Sequence, residues 1–220
     1  MIPRNPCDFV DSSKGYRGEL KPLDDKQVRV LLATAKATQP RLYALYVLGV
    51  TAGLRQSELI GLRWSDLDLK GSRLTVKRSV FKGKVNAPKT ARSSRIVRLT
   101  GLAVDALREH RKNHPGDSWV FPTRNGTPLD CGNFHRDYWK PLLRRAGLPD
   151  VTFHAATRHT CATLLLGQGV NLKLVADLLG HRGIRTTANI YSHVLPDMQG
   201  ETARAMDSIF ETEERKDFHA

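Results

Sequence analysis

The sequence predicts an α+β fold, mainly α-helical, in which a strand pair or small sheet interrupts a succession of helices. Three observations carry that expectation. Apolar residues recur at three- and four-residue steps over Val28, Leu31 and Leu32, and more densely from Leu42 to Val50, the period of helices with a buried face. Two stretches, Arg73 to Val80 and Ser93 to Leu99, alternate and are rich in β-branched residues, as half-buried strands are. The last third carries caps and stops at short intervals, which reads as a run of compact helices.

Taken in order, residues 1–22 hold Pro3, Pro6, Gly15, Gly18 and Pro22 with little apolar periodicity, and are expected to be a linker or arm. Helical pattern begins at Asp24. After the segment Arg55 to Leu69 come the two strand-like stretches, separated by a basic, Gly- and Pro-containing insert from Phe81 to Arg92 that reads as a long charged turn. Helix returns over Leu102 to Lys112 and over Asp130 to Ala146, with Asp130 as N-cap, and Trp119 to Phe121 fits a short strand between them. His159 to Gly167 forms the next helix. Asn171 caps LKLVADLL, Gly180 stops it, and Thr186 or Thr187 caps the segment holding Tyr191. The tail, 201–220, places Ala203, Met206, Ile209 and Phe210 at near-helical spacing, a stripe suited to a subunit contact or to packing on its own domain.

Composition narrows the function classes. The chain's 220 residues fit one domain with short appendages. No apolar run approaches the roughly 18 residues that span a bilayer, and MIPRNPCDFV lacks a secretory stretch, so a cytoplasmic protein is expected. Cys7, Cys131 and Cys161 are far apart, with no CxxC pair to hold a metal or run redox chemistry. Lys and Arg total 35 against 22 Asp and Glu, a net charge of +13. That balance favours a polyanionic partner, nucleic acid first, although ribosome-associated and membrane-surface proteins share it.

Three segments hold the chemistry. In TAGLRQSELIGLRWSDLDL, Arg55 and Glu58 are three residues apart, which on a helix lets the carboxylate orient the guanidinium. The basic insert carries Lys82, Lys84, Lys89 and Arg92, a charged loop that could equally block edge pairing. The stretch from Val151 to Val194 holds His154, Arg158, His159, His181, Tyr191 and His193 among apolar positions. Each alone is an ordinary ion pair, a solvated lysine, a hydrogen-bonded histidine or a packed tyrosine.

Their order and spacing resemble the tyrosine recombinase, or phage integrase, family. GLRQSEL, a lysine in APKT, RHTCAT, LGH and a tyrosine ten residues after that His all occur in family order, over about Leu23 to Val194. The resemblance implies packed helices with a small antiparallel sheet at one edge, and a catalytic domain over 23–200. It also implies roles. Arg55 and Arg158 match the two arginines, Lys89 the turn lysine, His181 the second His/Trp position, Tyr191 the nucleophile and Glu58 an accessory acid, with Lys82, Lys84 and Arg92 expected to touch DNA. Double-stranded DNA and a homotetramer assembled on it are the implied partners. Family members commonly carry an upstream core-binding domain that closes a clamp around DNA, and this chain is expected to lack it.

The implied reaction can be rebuilt from these groups. Attack of a phenol on a phosphodiester places extra negative charge on the nonbridging oxygens, which two guanidiniums can meet with bidentate donors. No metal or other cofactor is then needed, and no cluster of Asp and Glu of the kind that holds paired Mg²⁺ ions is seen, Asp66 and Asp68 being better explained by a turn and helix cap. A free tyrosine has a pKa of about 10, so only on the order of 0.1% is ionised at neutral pH and attack needs a base or strong positive potential. Lys89 is the expected general acid for the leaving 5′ oxygen.

One motif departs. The family reads H-x-x-R, whereas His154 precedes Arg158 by four positions, which leaves Ala155 at the family's His position. Either His154 serves from a shifted turn or that function is missing. We expect His154 to face the scissile phosphate beside Arg158, and His159, about 100° around the helix, to make a structural hydrogen bond. A type IB topoisomerase-like activity would use the same residues, while the altered His motif and the expected lack of an upstream domain leave a non-catalytic DNA-binding remnant or accessory factor as the other reading, against which intact Arg55, Arg158 and Tyr191 argue.

Overall fold

Asp24 starts the first helix. Its side chain accepts from the Gln27 backbone N–H (2.7 Å) while the Gln27 side chain accepts from the Asp24 N–H (3.0 Å), a reciprocal cap for two otherwise open donors. The computed structural model describes residues 22–86, 94–114, 116, 118–181, 183–191, 204 and 206–210. Helix α1 (Asp25–Thr38) packs on α2 (Pro40–Ala52), and Pro40 opens α2 where its missing N–H costs nothing. α2 is buried along most of its length and touches α1, α4, α7 and the segment before α7. It is the axis of the domain because its apolar residues surround the helix rather than lining one stripe. The short α3 (Gln56–Ile60) and one 3-10 turn (Trp64–Asp66) follow.

Strands β1 (Leu67–Asp68), β2 (Arg73–Val76) and β5 (Arg95–Arg98) form an antiparallel sheet in the order β1–β2–β5. β3 (Ser79–Phe81) and β4 (Lys84–Asn86) form a separate hairpin. The single strand expected from Arg73 to Val80 is therefore interrupted at Lys77 and Arg78. Both side chains turn to the buried Asp66 carboxylate, which Arg78 binds through two nitrogens and which Lys77 approaches at 3.6 Å. The expected basic turn instead contains the β3–β4 hairpin, whose tip residues Lys82 and Gly83 have φ of 49° and 72°, the geometry that matches strand twist. Residues 87–93, with Lys89 and Arg92, lie outside the described residues.

Helix α4 (Gly101–Asn113) is capped by the Thr100 hydroxyl. The stretch 119–121, expected as a strand, contributes one isolated bridge, Arg63 to Trp119, and a bond from the Val120 N–H to the Leu62 carbonyl. Asp130 caps α5 (Cys131–Phe134) as expected, accepting from the Gly132 and Asn133 N–H groups. A π-helical turn (His135–Trp139) then leads into α6 (Lys140–Ala146). A second π segment (Ala155–His159) runs into α7 (Thr160–Gly167), so this helix begins ahead of the expected His159. α8 (Leu172–Leu179) is capped by Asn171 and ended by Gly180. α9 (Ile184–Tyr191) starts before Thr186 and Thr187, the expected caps; Thr187 is buried, and its hydroxyl bonds His181 Nδ1 at 2.8 Å.

Two cores hold these elements. In the larger one, Phe153 meets Trp139 and Phe134 edge to face at 5.2 Å, with Tyr46 alongside, an arrangement suited to the ring quadrupoles. The Trp139 indole N–H donates to the Val151 carbonyl (2.9 Å), so its polar edge is satisfied. The smaller core gathers Ala162, Leu166, Val175, Leu179 and Tyr191 from α7, α8 and α9. Residues 206–210 are helical, with Met206, Ile209 and Phe210 exposed. Among the described residues no helix is long and apolar enough to cross a membrane.

The π segment can lie close to α2 because α2 has a glycine there. A Cβ at Gly49 would stand 2.9 Å from Thr157 Cγ2 and 3.3 Å from the Phe153 ring. Gly49→Ala should therefore lose about 1 kcal/mol net, the overpacking outweighing the gain in helix propensity. Urea unfolding at neutral pH checks this, and an unchanged or raised midpoint would show that the two helices have room to spare.

Candidate active site

The site forms where α2 ends. Gly53 adopts φ 59° as the cap of α2, and a Cβ there would strike Leu179 Cδ2 at 2.7 Å, so both the turn and the packing of α8 require glycine. That turn aims the Gly53 carbonyl at Arg158, which donates to it at 2.8 Å and to the Leu179 carbonyl at 2.6 Å. Arg158 is 2% exposed and is fixed at both terminal nitrogens. It thus reaches the site already oriented rather than as a free side chain.

Arg55 follows the same turn. Its backbone N–H and its Nη1 both donate to Glu58, each at 2.9 Å. The other side of Glu58 is taken by Arg95 at the start of β5, through bonds of 3.2 and 2.9 Å, and Arg95 Nε donates to the Leu178 carbonyl at 2.9 Å. The C-terminal carbonyls of α8 therefore face two guanidiniums, where the helix dipole favours positive charge. Burial raises the Glu58 carboxyl, but the hydrogen bonds and charge of Arg95, joined by Arg55, outweigh it and hold the group down at about 2. Burial and then the like charge of Arg55 lower Arg158 to about 9, still charged at neutral pH.

Three histidines and a tyrosine complete the cluster. His181, just after α8, is lowered to about 4 by burial and then by Arg158 and Arg55. His154 has an exposed outer face, while its ring meets His159 edge to face at 4.7 Å. Burial of its inner edge, then His159 and Arg158, bring it to about 4. His159 is lowered by burial and Arg158, and its Nδ1 lies 2.6 Å from the Tyr191 hydroxyl. Burial pushes the Tyr191 phenol up to about 12, against the pull of Arg158, so it keeps its proton at neutral pH.

The extra residue between His154 and Arg158 is taken up inside the helix. Residues 155–159 are π-helical, and the Thr160 N–H reaches back to the Ala155 carbonyl, an i to i+5 bond. Arg158 lies within that widened turn and bonds the Gly53 carbonyl. The expectation that a preceding turn would absorb the residue is thus replaced by a π bulge.

Arg55, Glu58, His154, Arg158, His181 and Tyr191 are brought together, and Lys82 and Lys84 stand exposed on the β3–β4 hairpin. Sequence reasoning missed Arg95, which opens a strand and carries no motif. It gave His159 a structural hydrogen bond, and that bond goes to the Tyr191 hydroxyl; the adjacency of His159 to Arg158 was the available signal. Among the described residues, no group of three or more His, Cys, Asp and Glu is placed to hold a metal ion. The site is a basic cluster with one acid, able to draw in a phosphate between guanidiniums beside a protonated phenol.

Removing that acid should cost stability. Glu58→Gln leaves Arg55 and Arg95 facing each other, and we expect a loss of about 3 kcal/mol at pH 7. Because the folded carboxyl sits below its ordinary value of 4.5, the contribution is present above that value and is lost as pH falls towards 2. Urea unfolding at pH 7, 4 and 3 should show the difference between wild type and Glu58→Gln shrinking; a constant difference would contradict this charge assignment.

Comparison with known proteins agrees with the geometry. Residues 21–198 match the model of the phage integrase family. A tyrosine recombinase XerC-like protein of Caldanaerobacter subterraneus subsp. tengcongensis is 33% identical over 96% of this chain and 58% of its own. An integrase of Streptomyces ambofaciens is 29% identical over 95% of this chain and 58% of its own. The chain thus spans a little over half the length of these relatives. The Tn1549 transposon integrase in complex with circular intermediate DNA superposes with a TM-score of 0.77 at 25% identity, over 92% of this chain and 72% of that one. XerA recombinase does so at 0.68 and 26% identity, over 88% and 66%. With the arginine pair, the histidines and the tyrosine in one basic cluster on a tyrosine recombinase catalytic-domain fold, this chain belongs to the phage integrase family.

Proposed function

We propose that this chain is the strand-cleaving and rejoining part of a site-specific DNA recombinase, acting through a covalent 3′-phosphotyrosine at Tyr191. The observation that carries the reading is the Tyr191 phenol held within the same charged cluster as Arg55, Arg158 and His181. Positive charge here exceeds what Glu58 balances, so like charges are held together that a phosphate would relieve. Arg55 and Arg158 would bind the nonbridging oxygens, with hydrogen bonds from His181 and His154. Arg95 would hold Glu58, and through it Arg55. Lys89 would protonate the leaving 5′ oxygen. Two guanidiniums then do the charge work that a metal does elsewhere. The phosphotyrosine conserves the energy of the broken bond, so rejoining needs no ATP.

Support for double-stranded DNA as substrate comes from the +13 net charge, from exposed Lys82 and Lys84 on the hairpin, with Arg92 later in the sequence, and from the DNA complex formed by the Tn1549 transposon integrase. Residues 23–200 would form the catalytic domain and 1–22 an arm. The tail from 201, with its exposed Met206, Ile209 and Phe210, would contact a neighbouring subunit in a tetramer on DNA. With DNA as its substrate, the protein would act in the cytoplasm.

The deciding experiment is incubation with a nicked suicide duplex, read as a covalent adduct on a denaturing gel. Tyr191→Phe should abolish the adduct and leave noncovalent DNA binding nearly unchanged, since only the attacking oxygen is removed. An adduct of undiminished yield in that variant would rule out Tyr191. In the same assay His154→Ala should slow cleavage by roughly 10- to 1000-fold with binding retained; a wild-type rate would remove His154 from the phosphate.

A further inference from the structure

We propose that His159 is the general base for the reaction, taking the Tyr191 phenol proton on Nδ1 as the phenol oxygen attacks phosphorus. This rests on the recombinase reading above, and it assigns the proton transfer to the histidine after Arg158 rather than to His154.

The geometry is direct. Nδ1 of His159 and the Tyr191 hydroxyl are 2.6 Å apart, within the range for proton transfer, and join residues 32 positions apart in sequence. Tyr191 is 2% exposed, and among the described residues His159 is the hydrogen-bond partner of its hydroxyl. A buried O–H needs an acceptor, and a neutral imidazole has one nitrogen to offer. The phenol therefore donates to Nδ1, which puts the ring hydrogen on Nε2. His154 instead meets the His159 ring edge to face and has its outer face in solvent.

The charges facing His159 fit a base that is empty at rest. Arg158 from its own π segment, with burial, keeps the imidazole below its ordinary value. His154 on the same segment and His181 after α8 are neutral at pH 7 by the same causes, and Tyr191 of α9 is protonated. As the phenol oxygen bonds to phosphorus, the Tyr191 O–H bond breaks and its proton passes to Nδ1, giving an imidazolium. The bond from phosphorus to the 5′ oxygen breaks, and that oxygen takes a proton from a separate acid, the role proposed for Lys89. The imidazolium that Arg158 disfavours in the empty site is offset by the negative charge gathering on the phosphate. On rejoining, the same proton returns to the departing phenolate.

The test is single-turnover cleavage of the nicked suicide duplex at saturating protein from pH 5 to 9, for wild type and His159→Asn. Asn keeps an oxygen that can accept the phenol hydrogen bond but cannot take the proton. Wild-type cleavage should fall on the acid side as His159 protonates. His159→Asn should cleave about 10²- to 10⁴-fold more slowly and lose that acid limb, with DNA binding intact. If wild type forms the adduct and His159→Asn cleaves within about threefold of it on the same pH profile, the base assignment falls while the recombinase reading stands. If wild type forms no adduct, both fall. Should His159→Asn not fold, nitrogen-15 spectra of the wild-type imidazoles decide: hydrogen on Nε2, with the Nδ1 shift altered in Tyr191→Phe, is expected, and hydrogen on Nδ1 overturns the proposal.

Discussion

The carboxylate of Glu58, held between Arg55 and Arg95, is the interaction on which the site depends. It is the one acid among three guanidiniums, and it links the end of α2 to the start of β5. Arg95 in turn reaches the Leu178 carbonyl and Arg158 the Leu179 carbonyl, so the C-terminus of α8 is tied to the same charge cluster. Sheet, central helix and C-terminal helices are thus joined by polar contacts exactly where charge is hardest to bury. Burying one carboxylate beside two arginines is tolerated because both of its oxygens accept hydrogen bonds from them. Glu58 carries one negative charge against three guanidiniums, so the cluster stays net positive.

A consequence is that titration in this cluster is pulled one way. His154 and His181 stand at about 4 and Arg158 at about 9, each displaced by burial first and then by neighbouring positive groups, His159 ahead of Arg158 for His154 and guanidiniums for the other two. The histidines are therefore neutral hydrogen-bonding groups at physiological pH, not added cations. Tyr191 shows the opposing limit. Arg158 favours the phenolate, but burial outweighs it and the phenol stays protonated at about 12. Positive potential alone does not ionise this phenol, so the proposed attack would need a proton acceptor beside it.

Much of the scaffold was legible in the sequence because it rests on local signals. The periodicity of Leu42 to Val50, the caps at Asp130 and Asn171 and the stop at Gly180 all reappear, as do Arg55, Glu58, Arg158, His181 and Tyr191 in one place. What was not legible depends on long-range contacts. The strand expected from Arg73 to Val80 breaks because Lys77 and Arg78 are drawn to Asp66, an attraction with no period. Thr187, read as a cap, is instead buried against His181. Arg95 looks like any strand residue until Glu58 is opposite it.

The π segment shows how one extra residue can sit in a site without displacing it. Arg158 is pinned by two carbonyls, His159 by the Tyr191 hydroxyl, and Thr157 by its approach to Gly49 and its bond to the Phe153 carbonyl. Upstream, Phe153 is locked between Trp139 and Phe134. A regular helix between these fixed points would turn either the aromatic anchor or the guanidinium by about 100°, and each is worth more than one hydrogen-bond register. The backbone therefore widens to an i to i+5 bond, the cheapest place for the mismatch. Because Arg158 and His159 are adjacent on that segment, the guanidinium that bonds Gly53 and the imidazole beside the Tyr191 hydroxyl are held side by side.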